Sequence, residues 1–178
     1  MAKKNKGKII LIDADVVSHF IKAREIYSLN SIFDYEIRLL DKVYDELNNN
    51  LTWKTEIDNL IAQKVLIVEP FPETNNEIKK EYFHIKKLMF KGDGESACLA
   101  YVRYTKNIIA SSNLKDIKNY CNLHDIEYLT TMDFLCHALN TGIFTIERCN
   151  TFIEKVLQKK GKLPVRKMED YTCREITI

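Results

Sequence analysis

The hydrophobic positions fall into short apolar runs separated by longer stretches of helical periodicity. The runs cover residues 8–13 (KIILID), 64–70 (KVLIVEP), 107–112 (NIIASS) and 126–129 (IEYL). Continuous apolar runs of this length are typical of strands buried on both faces of a parallel sheet. We therefore predict four buried strands, the second of which is ended by Pro70.

The remaining stretches repeat their apolar residues at helical spacing. They predict helices over residues 16–29, 35–49, 52–63, 75–90, 93–106, 114–124, 130–142 and 145–161. Strands that alternate with helices indicate an α/β fold in which a small, mainly parallel sheet lies between helical layers. We predict a single domain over residues 1–178, with a core at about 8–142.

Residues 143–178 form a C-terminal extension that consists of the last predicted helix and an irregular tail. The helix carries an apolar stripe at helical spacing, formed by Ile146, Cys149, Ile153, Val156 and Leu157. We expect this stripe to pack on the domain, with dimerisation or partner docking as the alternative.

Composition narrows the class of protein only slightly. A chain of 178 residues with 46% hydrophobic residues is long and apolar enough to fold around a core, and its net charge of +2 does not by itself indicate a nucleic-acid partner. The five cysteines include no CxxC pair and the four histidines are scattered, so no zinc pattern is present. We predict reduced thiols in a cytoplasmic protein. No apolar run approaches the ~20 residues that cross a bilayer.

Two acids, Asp13 and Asp15, follow directly after the first apolar run. Burying a carboxylate without a partner is unfavourable, so an acid at the end of a buried strand calls for an explanation. In parallel α/β sheets, binding sites lie outside the carboxyl ends of the strands. Asp13 occupies such an end, and so do Ser111, Ser112 and Asn113 after the third run.

Further acids stand where the predicted fold brings them towards the same edge. On the helix predicted over 35–49, Glu46 borders the apolar face that includes Val43, whereas Asp41 and Asp45 point away from it. Asp93 and Glu95 open the helix over 93–106, and Asp116 follows the third strand. Carboxylates that converge repel one another unless a cation separates them. Mg²⁺ and Mn²⁺ prefer such hard oxygen ligands.

Each of these acids except Asp13 also has a structural interpretation. Asp15 and Asp93 are candidates for helix N-caps, and Glu95 and Asp116 for acids that complement a helix dipole in the first turn. Asp133, three residues after Thr130, indicates a capping box rather than a catalytic role.

The acidic motifs, taken in order, resemble the PIN-domain family of nucleases. They are LIDADVV, LLDKVYDELNN, KGDGESACLAYV and NIIASSNLKDI, and the resemblance covers residues 8–142. It implies that Asp13, Glu46 and Glu95 are metal ligands, the Gly-Glu pair favouring Glu95 over Asp93. The fourth ligand position is open between Asp116 and Asn113, because this chain has Ser112 and Asn113 where the family usually has an acid.

The resemblance further implies a divalent-metal-dependent endoribonuclease that hydrolyses RNA phosphodiester bonds. Asp13, Glu46, Glu95 and Asp116 would hold one or two Mg²⁺ or Mn²⁺ ions, which activate water and stabilise the leaving oxygen. We expect supporting or phosphate-orienting roles for Asp15, Asp93, Ser111, Ser112 and Asn113. Contacts to RNA are expected from Lys91, Lys115 and Lys118.

Many members of this family are toxins blocked by a small antitoxin protein, so an antitoxin and a second copy of the chain are candidate partners alongside RNA. The alternative function is a catalytically weak or inactive PIN-like module that binds RNA or protein, which Asn113 favours. A phospho-acceptor receiver domain fits poorly, because the third strand ends in ASSN rather than in an aspartate.

Overall fold

A twisted sheet of parallel strands runs through the centre of the protein. The structure is a computed structural model that describes residues 7–49, 51–89, 92–176 and 178, with the backbone alone at positions 51, 52 and 116. Within these residues the strands are β1 (Ile9–Ile12), β2 (Glu36–Leu40), β3 (Ile67–Glu69), β4 (Ile108–Ala110) and β5 (Tyr128–Leu129). They lie in the order β3-β2-β1-β4-β5, and every neighbouring pair is parallel. The predicted α/β class is confirmed.

Helices flank this sheet. In the described residues they are α1 (Ala14–Ala23), α2 (Leu29–Ile32), α3 (Asp41–Asn48), α4 (Leu51–Ala62), α5 (Asn76–Met89), α6 (Asp93–Thr105), α7 (Leu114–His124), α8 (Thr131–Asn140) and α9 (Ile146–Gln158). Short 3₁₀ helices cover Ile26–Ser28 and Met168–Asp170. All four predicted strands are present, and most predicted helices match within a few residues.

The largest error of the sequence prediction concerns residues 36–40. They were assigned to one helix over 35–49, but they form β2, in which Ile37 pairs with Ile10 of β1. The helix begins only at Asp41. Ile37 and Leu39 are buried and two residues apart, which is also strand spacing, so the local pattern fits both structures and the free edge of β1 decides between them.

The first predicted helix also ends earlier than expected. It was predicted to reach residue 29, but α1 ends at Ala23, because Arg24 adopts a left-handed conformation with φ 61° and its backbone N–H closes onto Ile21 and Phe20.

The C-terminal extension packs on the core as predicted. Cys149, Ile153 and Val156 of α9 are buried. The ring of Phe152 lies edge-on to Phe20 of α1, with 5.0 Å between the ring centroids. This contact fixes the end of α9 beside α1.

The expectation of reduced thiols throughout is wrong for two cysteines. Cys136 of α8 and Cys173 of the tail form a disulfide, whereas Cys98, Cys121 and Cys149 are free and buried. Arg174 adds a two-pronged ion pair from the tail to Asp133, with both nitrogen–oxygen distances at 2.8 Å. The tail is therefore fastened to α8 both covalently and electrostatically. Across the described residues, no helix has the length and apolar character needed to cross a membrane.

Replacing Cys173 by Ser should lower the free energy of unfolding by about 2–4 kcal/mol, since the disulfide closes a loop between residues 37 positions apart and restricts the unfolded chain. Urea unfolding of the wild type with and without reductant, beside the variant, measures this. Reductant should destabilise the wild type alone. Equal stability of oxidised wild type and variant would contradict the prediction.

Candidate functional site

A cleft of about 560 Å³ opens at the carboxyl edge of the sheet, beside the junction of β1 and β4. Strands β2 and β3 lie on one side of β1, whereas β4 and β5 lie on its other side. Strands β1 and β4 therefore flank the point at which the strand order reverses. At such a point the connections leave the sheet in opposite directions and leave a crevice between them. The geometry of the sheet therefore creates this cleft.

Asp13 lies at the centre of this edge. Its backbone N–H donates to the carbonyl oxygen of Ala110 at 2.8 Å, which extends the β1–β4 pairing by one residue. Its side chain is the N-cap of α1 and accepts a hydrogen bond from the N–H of Ala14 at 2.8 Å. The cap that was considered for Asp15 is thus provided by Asp13. Burial raises the pKa of Asp13 well above its ordinary value, and repulsion from Asp15, Glu95 and Glu46 adds to that effect.

Asp15 fastens the loop after β4 to the start of α1. Its Oδ2 accepts a hydrogen bond from the N–H of Ser112 at 2.8 Å, while its buried Oδ1 has no hydrogen-bond partner among the described residues. Burial raises its pKa, and the backbone donors oppose that rise. Asp15 therefore holds the loop at Ser112 in place with one carboxylate oxygen, while its other oxygen, Oδ1, stays buried.

Glu46 reaches the cleft from α3 across to the start of α6. Its Oε1 accepts a hydrogen bond from the N–H of Gly94 at 2.8 Å. A Cβ atom at Gly94 would lie 2.7 Å from Oε2, and one at Gly92 would lie 2.9 Å from Oε1. Both glycines are needed for this approach. Glu46 thereby caps α6, whose own N-cap, Gly92, has no side chain to do so.

Glu95 is buried in the first turn of α6 and lines the same cleft. The thiol of Cys98, one turn further along α6, is affected by the negative charges of the cleft. Burial raises its pKa well above the ordinary value, and Asp13, Glu46, Glu95 and Asp15 raise it further. Four carboxylates from α1, α3 and α6 therefore surround one region.

Other residues predicted for the site are divided between the cleft and its surroundings. Ser112 and Asn113 line the cleft, whereas Ser111 is buried behind it and accepts a hydrogen bond from the N–H of Asn113. Asp93 does not cap α6. It accepts a hydrogen bond from Tyr82 at 2.9 Å and pairs with Lys86, both on α5.

Of four further predicted positions, two lie wholly or partly outside the described residues and two are not brought to the cleft. The side chain of Asp116 and the whole of Lys91 lie outside the described residues, although the backbone of Asp116 lies in α7. Lys115 and Lys118 are exposed on α7 and do not line the cleft. Asp133 forms the predicted capping box with Thr130.

Apart from Asp15, the sequence prediction missed the wall of the cleft that α1 forms. Asp15, Ser18, His19 and Lys22 of α1 line it together, at a spacing of three, four and seven residues that places them on one helix face. That polar stripe is visible in the sequence and could have been used. Another part of the cleft is formed by Lys160, Gly161 and Lys162 after α9, for which the sequence gives no comparable signal.

His19 belongs to a chain of hydrogen bonds at the wall of the cleft. Its Nδ1 lies 2.9 Å from Oγ1 of Thr131, and that oxygen lies 2.7 Å from Oγ of Ser112. Burial lowers the pKa of His19 to about 4, with a smaller effect from Lys22. The imidazole is therefore neutral at physiological pH and is able to position Ser112 without adding charge.

The donor set of the cleft suits a hard divalent cation. Within the described part of the chain, no three His, Cys, Asp or Glu side chains are arranged as a complete metal-binding group. Mg²⁺ does not require one, because it keeps several waters and commonly binds through one or two carboxylates together with substrate phosphates. Asp13 and Glu95, which repel each other in the absence of a cation, are the residues best suited to hold it.

Comparisons with known proteins do not identify the family of the chain. It matches none of the sequence profiles of known protein families, and no curated protein matches it either. The PIN-domain resemblance therefore stays a prediction, and the fold and the cleft define the protein as a parallel α/β protein with an acidic crevice.

Replacing Asp13 by Asn should stabilise the metal-free protein near neutral pH by about 0.5–2 kcal/mol, as is common when strain at a functional site is relieved. Asparagine also serves as an N-cap, so the cap on α1 is kept while one repelling charge is removed. Because the pKa of Asp13 is raised on folding, its contribution to stability should fall as the pH rises through that pKa.

Urea unfolding in a chelator and in Mn²⁺ measures this effect. Mn²⁺ should stabilise the wild type more than the variant. Asp45→Asn, which removes an exposed charge on α3, is the matched control and should change neither quantity. A variant less stable than the wild type in the chelator would show that Asp13 is only a structural cap.

Proposed function

We propose that this protein is a divalent-metal-dependent endoribonuclease that hydrolyses phosphodiester bonds in RNA. The observation that carries the proposal is the gathering of the Asp13, Glu46 and Glu95 carboxylates, from three separate helices, in one cleft at the switch point of the sheet. These are the residues that the resemblance to PIN-domain nucleases implies as ligands. Buried like charges are unfavourable, so a fold that assembles them is best explained by a bound cation.

In this proposal the residues of the chain have distinct tasks. Asp13 and Glu95 hold Mg²⁺ or Mn²⁺, and Glu46 fixes the start of α6, which carries Glu95. The metal supplies an activated water and charge stabilisation for the leaving oxygen. Asp15 and the His19–Thr131 pair hold Ser112 in place, so that Asn113, the next residue, can orient a phosphate at the cleft. The position to which the resemblance gives a fourth acid, Asp116 or Asn113, supplies a further ligand in the same proposal.

We extend this proposal to a toxin that a protein antitoxin blocks, to a homodimer and to a cytoplasmic location. The disulfide between Cys136 and Cys173 weighs against the last of these, since reducing compartments disfavour such bonds. The second candidate function, an RNA- or protein-binding module without catalysis, is favoured by Asn113 at the cleft in place of an acid and by the lack of a complete three-residue metal group among the described residues.

Incubation of the protein with total RNA in Mn²⁺ tests the proposal. We expect cleavage by the wild type and a loss of at least about a hundredfold in Asp13→Asn and in Glu95→Gln, because each removes charge that binds the metal. Electrophoresis of the products measures it. Cleavage should also be abolished by a chelator and restored by added Mn²⁺.

Asp45→Asn is again the control and should cleave like the wild type. Comparing Asp116→Ala with Asn113→Ala identifies the fourth ligand. Cleavage that survives in Asp13→Asn would refute the proposed site, and tight RNA binding without cleavage by any form would favour the binding module.

A further inference from the structure

A second cavity adjoins the acidic cleft. It has a volume of about 320 Å³, and Ser112 and Lys162 line both spaces. Its other walls are mostly apolar, with Leu114, Met132, Leu163 and Pro164 around the ring of Tyr171. Its size lies at the lower end of the ~300–1,000 Å³ found for small-molecule sites. Two adjoining spaces, one charged and one apolar with an aromatic wall, therefore meet at Lys162.

The shared rim of the cleft is basic. Lys22, Lys160 and Lys162 line it together with the carboxylates. A fourth lysine, Lys159, donates from Nζ to the backbone oxygen of Lys22 at 2.8 Å. Burial lowers the pKa of Lys22, and the charge of Lys159 lowers it further, so these cations lie close together. Such a concentration of positive charge favours an anion between them.

The turn that carries these lysines is tightly built. Lys160 has φ 59°, and the N–H of Gly161 donates to Val156 at 2.8 Å. A Cβ atom at Gly161 would lie 2.5 Å from a methyl carbon of Val156 and 3.4 Å from the ring of His19. Only glycine permits this close return of the turn onto Val156 of α9, and the turn also lies beside His19 of α1. The lysines are thus held at the cleft by backbone geometry and not only by flexible side chains.

The aromatic wall is held in a similar way. Tyr171 precedes Cys173 by two residues, and the disulfide joins that part of the tail to α8. An ion pair between Arg174 and Asp133 also holds this segment of the tail against α8. The ring of Tyr171 is half-buried, and Thr130 and Ser112 supply the polar groups of the pocket.

We infer that the segment after α9 completes a nucleotide subsite. A backbone phosphate of single-stranded RNA binds to Lys160, Lys162 and Lys22, and the adjacent base enters the apolar pocket and stacks on Tyr171. This inference rests on the proposed function, which places the scissile phosphate in the acidic cleft. Unstacked bases commonly bind to aromatic side chains in this manner, and a base within a duplex is not free to enter such a pocket. The subsite therefore selects single-stranded substrates.

Fluorescence anisotropy with a short labelled oligoribonucleotide tests the inference. The strand and its duplex are compared in Ca²⁺, with electrophoresis to verify that the RNA stays intact. We expect tighter binding of the single strand. In Lys162→Gln and Lys160→Gln, binding should weaken and the salt dependence should fall by about 0.7 per lysine. Tyr171→Leu should weaken binding by about fivefold or more, whereas Tyr171→Phe should bind like the wild type.

Lys167→Gln is the matched control for charge, because Lys167 is exposed in the same tail but lines neither space. It should leave both affinity and salt dependence unchanged, and thermal unfolding verifies that each variant folds. Photo-crosslinking of 4-thiouridine-labelled RNA to the Tyr171 peptide would support the subsite whether or not the protein cleaves RNA.

Equal affinity for strand and duplex would overturn the inference. So would unchanged binding in both Tyr171→Leu and Lys162→Gln, even if RNA cleavage and its dependence on Asp13 upheld the proposed function.

Discussion

The pairing of β1 with β4 is the constraint on which the site depends. Parallel strands leave the sheet at the same edge, so the residues that follow β1 and β4 emerge side by side. The hydrogen bond from the N–H of Asp13 to Ala110 extends the pairing one residue past β1, and the hydrogen bond from the N–H of Ser112 to Asp15 joins the loop after β4 to the start of α1. These two contacts place an acid pair and a polar loop within one crevice before any ligand is considered.

The charged groups of the cleft affect both the stability of the fold and the ligands that the cleft suits. Burial disfavours the ionised forms of Asp13 and Asp15, and repulsion from neighbouring carboxylates adds to this effect at Asp13. Backbone donors at Ala14 and Ser112 offset part of it. Lys22, Lys160 and Lys162 line the same cleft, so it presents both negative and positive groups, an arrangement suited to a metal together with a phosphate.

The sequence predicted the sheet class because buried parallel strands leave pure apolar runs. It predicted Asp13 and Glu95 at one edge because acids after strands and at helix starts meet there, and Glu46 because it borders the apolar face of its helix. It failed at residues 36–40, because Leu39 and Leu40 continue the helical spacing of Val43 and Leu47, although Ile37 and Leu39 also have strand spacing, and a tertiary pairing decides. It also missed Lys160 and Lys162, since their place depends on how α9 packs. Local sequence patterns show the periodicity of strands and helices, whereas long-range packing determines which distant segments come into contact.

Helix α1 contributes both to the hydrophobic core and to the cleft. One of its faces packs Phe20 against Phe152 of α9, and another presents Asp15, His19 and Lys22 to the cleft. The hydrophobic contact therefore sets the distance between the acidic side of the cleft and the basic turn at Gly161, where no side chain would fit. Since the same helix carries both the core contact and the polar stripe, the C-terminal extension is a structural part of the site and not an appendage to a finished domain. Lys160 and Lys162 line the same cleft as the acids because α9 packs on α1, the helix that Asp13 caps.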